Sequence, residues 1–544
     1  MLHRVKHKLA APDRKLIDAL LTPAAFEPPV TAVEVIETHI SWVILADDYV
    51  YKIKKPIRLD FLDFSELQQR KFYCEEEIRL NQPGAPWIYC DVVPITRKNG
   101  RPRIGGPGDP IEYAVRMRRF DQGLRLDKQL EKNLLTVRDM KELGQAIAAH
   151  HAAAARIDAQ QRDHQLATTT SFMWDNFEAL EGFVDSKQLS LLADWTGQEL
   201  ARLDERLARR FDDGFVRDCH GDLHLGNLVR LPTGITLFDC IEFSADLRAI
   251  DVFCDIAFLI MDLVAQGRRD LASHLLNRYL ECTGDYDGVE MLDLYFVYRC
   301  LVRAKVAAIS GQECGHGAER DRHFVDAQQY CDIAWRQVSK PAPILIVMHG
   351  LSGSGKSWLA AQLMAALPAI RIRSDLERKR LFGIGEHERS ASGIGSGIYT
   401  HASSAAVYGI LRKHAATMLG SGHSVILDAA FLHRRERQAA LQIAEAGGFP
   451  AALLHLEAPV DVLRDRIGAR ASAAEDASEA GLAVLEHQLA TAEPLSAVEK
   501  ALTIVCNNES GCDVDVIARQ INFRRQTGES EETDGHFSRS QHLY

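Results

Sequence analysis

Five consecutive apolar residues, Ile344-Leu345-Ile346-Val347-Met348, run into Gly350-Leu351-Ser352-Gly353-Ser354-Gly355-Lys356-Ser357. A short uninterrupted apolar run reads as a strand buried on both faces, which calls for a parallel sheet covered by helices. The glycines let backbone N–H groups wrap an anion, Lys356 adds a cation, and Ser357 opens the helix Trp358 to Leu367 with a metal-binding hydroxyl. Strand, loop and helix in this order make a phosphate cradle. Gly350, Ser352, Gly353, Ser354, Gly355, Lys356 and Ser357 are therefore its expected contacts with ATP, and Ser357 is also expected on Mg²⁺.

A second constellation lies upstream. His220-Gly221-Asp222-Leu223-His224-Leu225-Gly226-Asn227 sits between the apolar pairs Phe215-Val216 and Leu228-Val229, and Ile235 to Phe238 reads as a strand ending at Asp239. Phosphoryl transfer needs metal-binding oxygens and a carboxylate that faces the incoming hydroxyl. Asp222 has the position of that carboxylate, and Asn227 and Asp239 those of the metal ligands. H-G-D-x-H-x-x-N resembles the aminoglycoside phosphotransferase and choline kinase-like branch of the protein-kinase fold, over roughly residues 30–335. The resemblance implies a bilobal, ATP-dependent kinase domain, with His224 beside the acceptor.

Val33 to Ile53 is strand-like, with a turn at Asp47-Asp48. Alternation puts Lys52 and Lys54 on one face, and the resemblance implies that one of them, with Lys52 favoured, reaches the α/β-phosphates. No G-x-G-x-x-G precedes them; Thr38-His39-Ile40-Ser41 stands in its place. Glu66 to Leu80 reads as a helix whose Glu75, Glu76 or Glu77 would orient the lysine, and the E-x-x-x-L spacing favours Glu76. Tyr113 to Met117 is a strand leading to Arg118-Arg119-Phe120, the expected adenine-binding hinge. Residues 137–160 and 190–211 read as large-lobe helices, with His150 and His151 on a helix surface. Asp255 is expected to brace the catalytic loop. Arg299 and Arg303, one helical turn apart, would suit an anionic acceptor.

Ser339 to Pro343 reads as a linker, because its two prolines stop the preceding helix. Beyond the phosphate cradle, Ile370 to Asp375, Ser424 to Asp428 and Ala451 to Leu456 read as further strands. This order resembles the small P-loop kinases: gluconate kinase, the zeta-toxin group and the polynucleotide 5′-kinase group. The resemblance implies Asp375 on the acceptor hydroxyl, Arg378 on an anionic part of the acceptor, and Asp428 near Mg²⁺. It also implies Arg470 and Arg466 as lid arginines; the short polar stretch 471–481 reads as a small lid, and the glycine-rich stretch from Gly383 to Gly397 as a mobile loop over the acceptor. Residues 523–544 are polar and read as a disordered tail.

The expected organisation is thus two fused units, α/β and α+β. A bilobal kinase-like domain (1–338) and a linker (339–343) precede a P-loop domain with a parallel sheet (344–522). The net charge of −11 argues against broad attraction to nucleic acid. The 11 cysteines form no C-x-x-C pair, the pattern of reduced thiols. The basic first residues lack an apolar segment like that of a signal peptide. These features lead us to expect a cytoplasmic chain without membrane contact, acting on small-molecule acceptors, anionic ones included, with ATP and Mg²⁺. Two alternatives stand beside a bifunctional kinase. One is a single kinase regulated by a nucleotide-sensing P-loop domain; the other is a C-terminal domain that phosphorylates polynucleotide 5′-hydroxyls.

Overall fold

The structure is a computed structural model. It describes residues 11–59, 62–314, 316–390, 392–393, 395–473, 481–509 and 511–527, without the side chains of 11–13 and 470–473. The described residues divide into two units. One comprises those up to Arg268 together with Met291–Ser339; the other comprises Arg269–Glu290 together with those from Lys340 onward. Residues 269–290, expected in the first domain, therefore group with the P-loop unit. Among the described residues, no helix is long and apolar enough to cross a membrane.

In the first unit, a six-stranded sheet runs in the spatial order Val33–Glu37, Ser41–Ala46, Tyr49–Lys54, Glu112–Arg118, Tyr89–Lys98, Arg101–Ile104. Its pairings are all antiparallel. Asp47 makes the turn between the second and third strands at φ +48°, a conformation Asp tolerates better than most residues. Alternation buries Trp42, Ile44, Tyr51 and Ile53 against Ile17, Leu20 and Phe26. The other face carries the lysines. Helix Leu67–Asn81, opened by a capping box between Glu66 and Gln69, packs on this sheet.

The large lobe is helical: Val137–Ala153, Arg162–Leu180, Ser186–Asp212, Val252–Ala265, Leu292–Glu313 and Ala318–Val338. Helix Val252–Ala265 is buried from Val252 to Leu263. A helix buried on all sides belongs at the centre of a lobe, and its two aspartates, Asp255 and Asp262, are buried with it. His150 and His151 are not surface residues as expected. His151 is buried, and burial draws the His150 ring down to about 4. The Ala-rich stretch around them looked like a solvent face, but its small side chains allow close packing.

The P-loop unit has a five-stranded parallel sheet in the order Ala369–Arg373, Ser424–Asp428, Leu345–His349, Ala451–Glu457, Thr503–Asn507. The apolar run found in the sequence is its central strand, buried at every position. Helices Lys356–Ala366 and Val514–Thr527 cover one face through Leu359, Leu363, Ile517 and Ile521. Helix Val514–Thr527 runs into the stretch read as a tail, so residues 523–527 are helical; 528–544 lie outside the described residues. The fifth strand, Thr503–Asn507, escaped the sequence reading because it is an edge strand with alternating exposure.

Candidate functional sites

In the first unit, strand Val216–Asp218 leads into the H-G-D loop, and hairpin Leu228–Leu231/Gly234–Leu237 follows it. Gly221 takes φ +82°, and a Cβ there would meet Leu247 O at 2.9 Å. Only glycine fits this turn. Asp255 accepts the N–H groups of His220 and Gly221, both at 3.0 Å, and contacts His151 Nε2 at 3.2 Å. Burial pushes the Asp255 carboxyl up, but His151 more than offsets this and brings it down to about 2. Asp255 thus braces the loop as an ionised carboxylate.

Asn227 Nδ2 donates to Asp222 O and Oδ2, each at 3.0 Å. His224 Nε2 lies 3.4 Å from the same Oδ2, and its Nδ1 accepts the Gly226 N–H at 3.0 Å. The ring's proton therefore sits on Nε2, facing Asp222. Burial raises the Asp222 carboxyl, yet His224 carries it well below the ordinary carboxylate range. Burial also lowers His224, and Asp222 outweighs that, raising it. The Asp222 side chain keeps 39% exposure, so a hydroxyl has access to it.

Asp239 follows Phe238, whose N–H donates to Asn227 O at 3.0 Å and whose carbonyl lies 2.9 Å from His220 Nε2. Asp239 itself sits at φ +61°. This strained conformation is held by its N–H on Tyr89 Oη at 3.0 Å and by the Cys240 N–H on Asn81 Oδ1 at 2.8 Å. Lys52 Nζ reaches Asp239 Oδ1 at 2.7 Å and Glu77 Oε1 at 2.9 Å. Lys54 Nζ donates to Glu77 Oε2 at 2.8 Å and to Glu242. Burial would raise Glu77, but Lys52 and Lys54 hold it down to about 2.

The expected partner Glu76 is therefore corrected to Glu77. Glu76 points outward and pairs with Arg79 at 2.7 Å, because only one of three consecutive helical positions faces the lysines. Lys54 is not a solvated alternative to Lys52; both belong to one buried ion network. Two lysines face three carboxylates there, and Asp239 is the exposed one at 43%. The exposed Asp239 carboxylate is a hard oxygen donor of the kind that fits Mg²⁺.

Arg299 does not line an acceptor pocket. Its Nη1 donates to Gly221 O at 3.1 Å, its Nε to Cys254 O at 3.2 Å, and its guanidinium lies 4.8 Å from the Phe258 ring. It faces the core behind the loop because the apolar face of its helix is the buried one. Arg303, one turn on, is half-buried, donates to Tyr330 Oη at 3.4 Å, and feels the charges of Asp262 and Asp222. Beyond the last small-lobe strand, Phe120 and Phe238 meet edge-to-face at 5.4 Å, making an apolar wall beside the expected hinge.

In the P-loop unit, Gly350, Gly353 and Gly355 have φ of +146°, +83° and +92°. A Cβ on Gly350 would meet Leu456 O at 2.6 Å, and one on Gly355 would meet Asn508 Nδ2 at 2.1 Å. The loop is fixed by Asn508 Nδ2 donating to Ser354 O at 2.7 Å. Lys356 Nζ folds over the loop onto Leu351 O at 2.7 Å. Ser357 Oγ donates to Asp428 Oδ1 at 3.1 Å, while Asp428 Oδ2 is buried with no hydrogen-bond partner among the described residues. Burial raises the Asp428 carboxyl against the pull of Arg371 and Arg373. A hydroxyl beside a carboxylate oxygen lacking a partner fits a hard divalent cation. The Ser352 N–H is taken by Gln488 Oε1 at 2.8 Å, from helix Leu482–Thr491.

Asp375 is half-buried in the first turn of helix Ser374–Leu381. Arg378 is buried, donates to Ile398 O at 2.9 Å and lies over the Tyr399 ring. It supports the segment around Tyr399 and is not open to an acceptor as expected. Arg466 is corrected as well. Its Nη2 donates to Asn508 O at 2.8 Å and Glu509 O at 3.1 Å, which ties it to the loop after the last strand. Arg470 lies in helix Val460–Ala473, but its side chain is outside the described residues, as are 474–480 of the expected lid. Residues 391 and 394 of the expected mobile loop also lie outside them. Sequence reasoning named Glu77 as one of three candidate partners without favouring it, and missed the roles of His151, Asn508, Gln488, and the pair Arg371 and Arg373. The alternate spacing of Arg371 and Arg373 on one strand was the available signal for the last.

Comparison with known proteins gives two family matches along the chain. Residues 115–292 match the model of the Phosphotransferase enzyme family, and residues 345–495 match that of an AAA domain. The chain is 30% identical over 457 residues to the uncharacterized protein Rv2004c of Mycobacterium tuberculosis (strain H37Rv), covering 82% of this chain and 88% of that one. Among solved structures, amicoumacin kinase hAmiN in complex with AMP-PNP, Ca²⁺ and Ami gives a TM-score of 0.37 at 13% identity, over 59% of this chain and 94% of that one. A gluconokinase from Sinorhizobium meliloti 1021 gives 0.24 at 21%, over 34% and 91%. At these TM-scores neither likeness bears on acceptors. The chain belongs to the family of the mycobacterial protein, joins a phosphotransferase domain to a P-loop kinase domain, and is an ATP-dependent kinase.

Proposed function

We propose that the chain is bifunctional, with each unit transferring the γ-phosphoryl group of ATP to a hydroxyl of a small-molecule acceptor. The observation that supports this reading is that each unit has its own partly exposed aspartate, Asp222 or Asp375, and its own candidate cation-binding oxygens, Asp239 in the first unit and Ser357 with Asp428 in the second. In the first unit, Asp222 would align the acceptor hydroxyl and take its proton. His224 holds Asp222 ionised and oriented. Asn227 and Asp239 would hold Mg²⁺, and Lys52, fixed by Glu77, would meet the nucleotide's phosphates. Bound Mg²⁺ would neutralise charge on the transferring phosphoryl group. Arg303, half-buried within the field of Asp222, supports an anionic group on the acceptor.

In the second unit, the N–H groups of Gly353 to Ser357 and the ammonium of Lys356 would hold the phosphates, with Ser357 and Asp428 at the cation. Asp375 would face the acceptor. The bond from the Ser352 N–H to Gln488 supports a second reading. In it, helix Leu482–Thr491 moves when nucleotide binds and the unit serves as a sensor. Labelled ATP and a metabolite mixture separate the readings. Two products, one lost in Asp222→Asn and the other in Lys356→Ala, are expected of a bifunctional kinase. One product, insensitive to Asp375→Asn, would favour the sensor.

A further inference from the structure

Helix Arg269–Thr283 belongs to the P-loop unit although it precedes that unit's first strand in the chain. It meets the edge strand Ala369–Arg373 through residues one turn apart. Asn277 Nδ2 donates to Ala369 O at 3.1 Å, and Asn277 Oδ1 accepts the Arg371 N–H at 2.7 Å. A side-chain amide thus supplies the two bonds that a neighbouring strand would otherwise make. One turn further on, Glu281 Oε1 accepts from Arg371 Nη2 at 2.6 Å and lies 4.0 Å from Arg373 Nη1. Burial raises the Glu281 carboxyl, and Arg371 and Arg373 bring it below its ordinary value, so it is a carboxylate.

Arg371 also reaches toward the phosphate cradle, where its Nη1 donates to Ser357 O at 3.2 Å. Arg373 is the register partner of Asp428 on the neighbouring strand. Arg371, Arg373 and Lys356 all act electrostatically on Asp428. Three cations against one carboxylate would oppose entry of a divalent ion between Asp428 and Ser357. Glu281 supplies the second carboxylate, and it does so from outside the 345–495 family match.

We propose that Glu281 is a positioning residue of the P-loop kinase. It holds Arg371 against the Ser357 carbonyl and offsets the arginine pair, so that Mg²⁺ joins the nucleotide at Ser357 and Asp428. This rests on the reading that the P-loop unit binds Mg·ATP.

The test uses the full chain and a fluorescent, non-hydrolysable ATP analogue, with and without Mg²⁺. The component of binding lost in Lys356→Ala is assigned to the P-loop. Glu281→Gln preserves shape and removes charge. It should cut the gain in affinity from Mg²⁺ about tenfold while changing metal-free binding less than about twofold. Glu281→Asp should restore part of the gain. Asn277→Ala removes the strand-edge bonds without changing charge; it should lower the melting temperature and leave the gain intact. An unchanged gain in Glu281→Gln, or equal losses with and without Mg²⁺, would overturn the proposal. A wild-type chain with no Lys356-sensitive component would instead sink the underlying reading.

Discussion

Lys52 Nζ lies 2.7 Å from Asp239 Oδ1, joining a small-lobe strand to the residue after the H-G-D hairpin across 187 positions of sequence. The same ammonium holds Glu77. Lys52 therefore links Glu77 to Asp239, and the two groups that a bound cation and triphosphate would engage are Asp239 and Lys52.

Glu77 and Glu76, neighbours in sequence, should behave oppositely. Glu77→Gln leaves two buried lysines short of a carboxylate and should cost about 3–5 kcal/mol. Glu76→Gln removes a partly exposed pair with Arg79, in which the arginine side chain is 55% exposed, and should cost about 1 kcal/mol or less. Denaturant unfolding of the two variants measures the contrast.

Asp222→Asn should lower kcat for the first unit's product about 10²–10⁴-fold, the usual range for a positioned acid–base group. KM for ATP should change little, because Asp222 faces the acceptor. Melting should fall modestly, because His224 and Asn227 hold the ionised carboxylate in the fold. Steady-state kinetics with a melting curve check all three.

Acid should weaken the first unit through Asp255. The Asp255 carboxyl is held down to about 2 in the folded chain, against about 3.9 when unfolded. A depressed carboxylate stabilises the fold above the unfolded pKa, and that contribution fades as pH falls from about 4 toward 2. Stability should therefore drop across that window. In Asp255→Asn, which is less stable at neutral pH, the drop should be shallower. Unfolding free energies measured from about pH 6 down to 2 test the sign.

Gly355→Ala should abolish the P-loop site. Its φ is +92°, and the Asn508 amide nitrogen would stand 2.1 Å from an alanine Cβ, which leaves no room for a methyl group. Gly468→Ala, where a Cβ meets nothing within contact distance, should be silent. Nucleotide binding by the two variants gives the comparison.

Local signals were legible in the sequence. Asp222 and Asn227 lie on one short loop, and the glycines of 350–355 need positive φ wherever the loop forms. Helix face was not legible. Glu76 and Glu77 differ only in which side of a helix meets the core, while Arg299 and Arg303, one turn apart on one face, differ in how deeply that face is buried, and both depend on distant packing. Arg299 looked like an acceptor group and turned out to hold Gly221 from behind. Nor could periodicity assign residues 269–290, whose partner strand lies far downstream at Ala369–Arg373.

The most direct measurement is calorimetric titration of the full chain with a non-hydrolysable ATP analogue and Mg²⁺. Two nucleotide sites per chain are predicted, falling to one in Lys356→Ala. A single site in the wild type, or a stoichiometry unchanged by Lys356→Ala, would contradict two independent kinase centres.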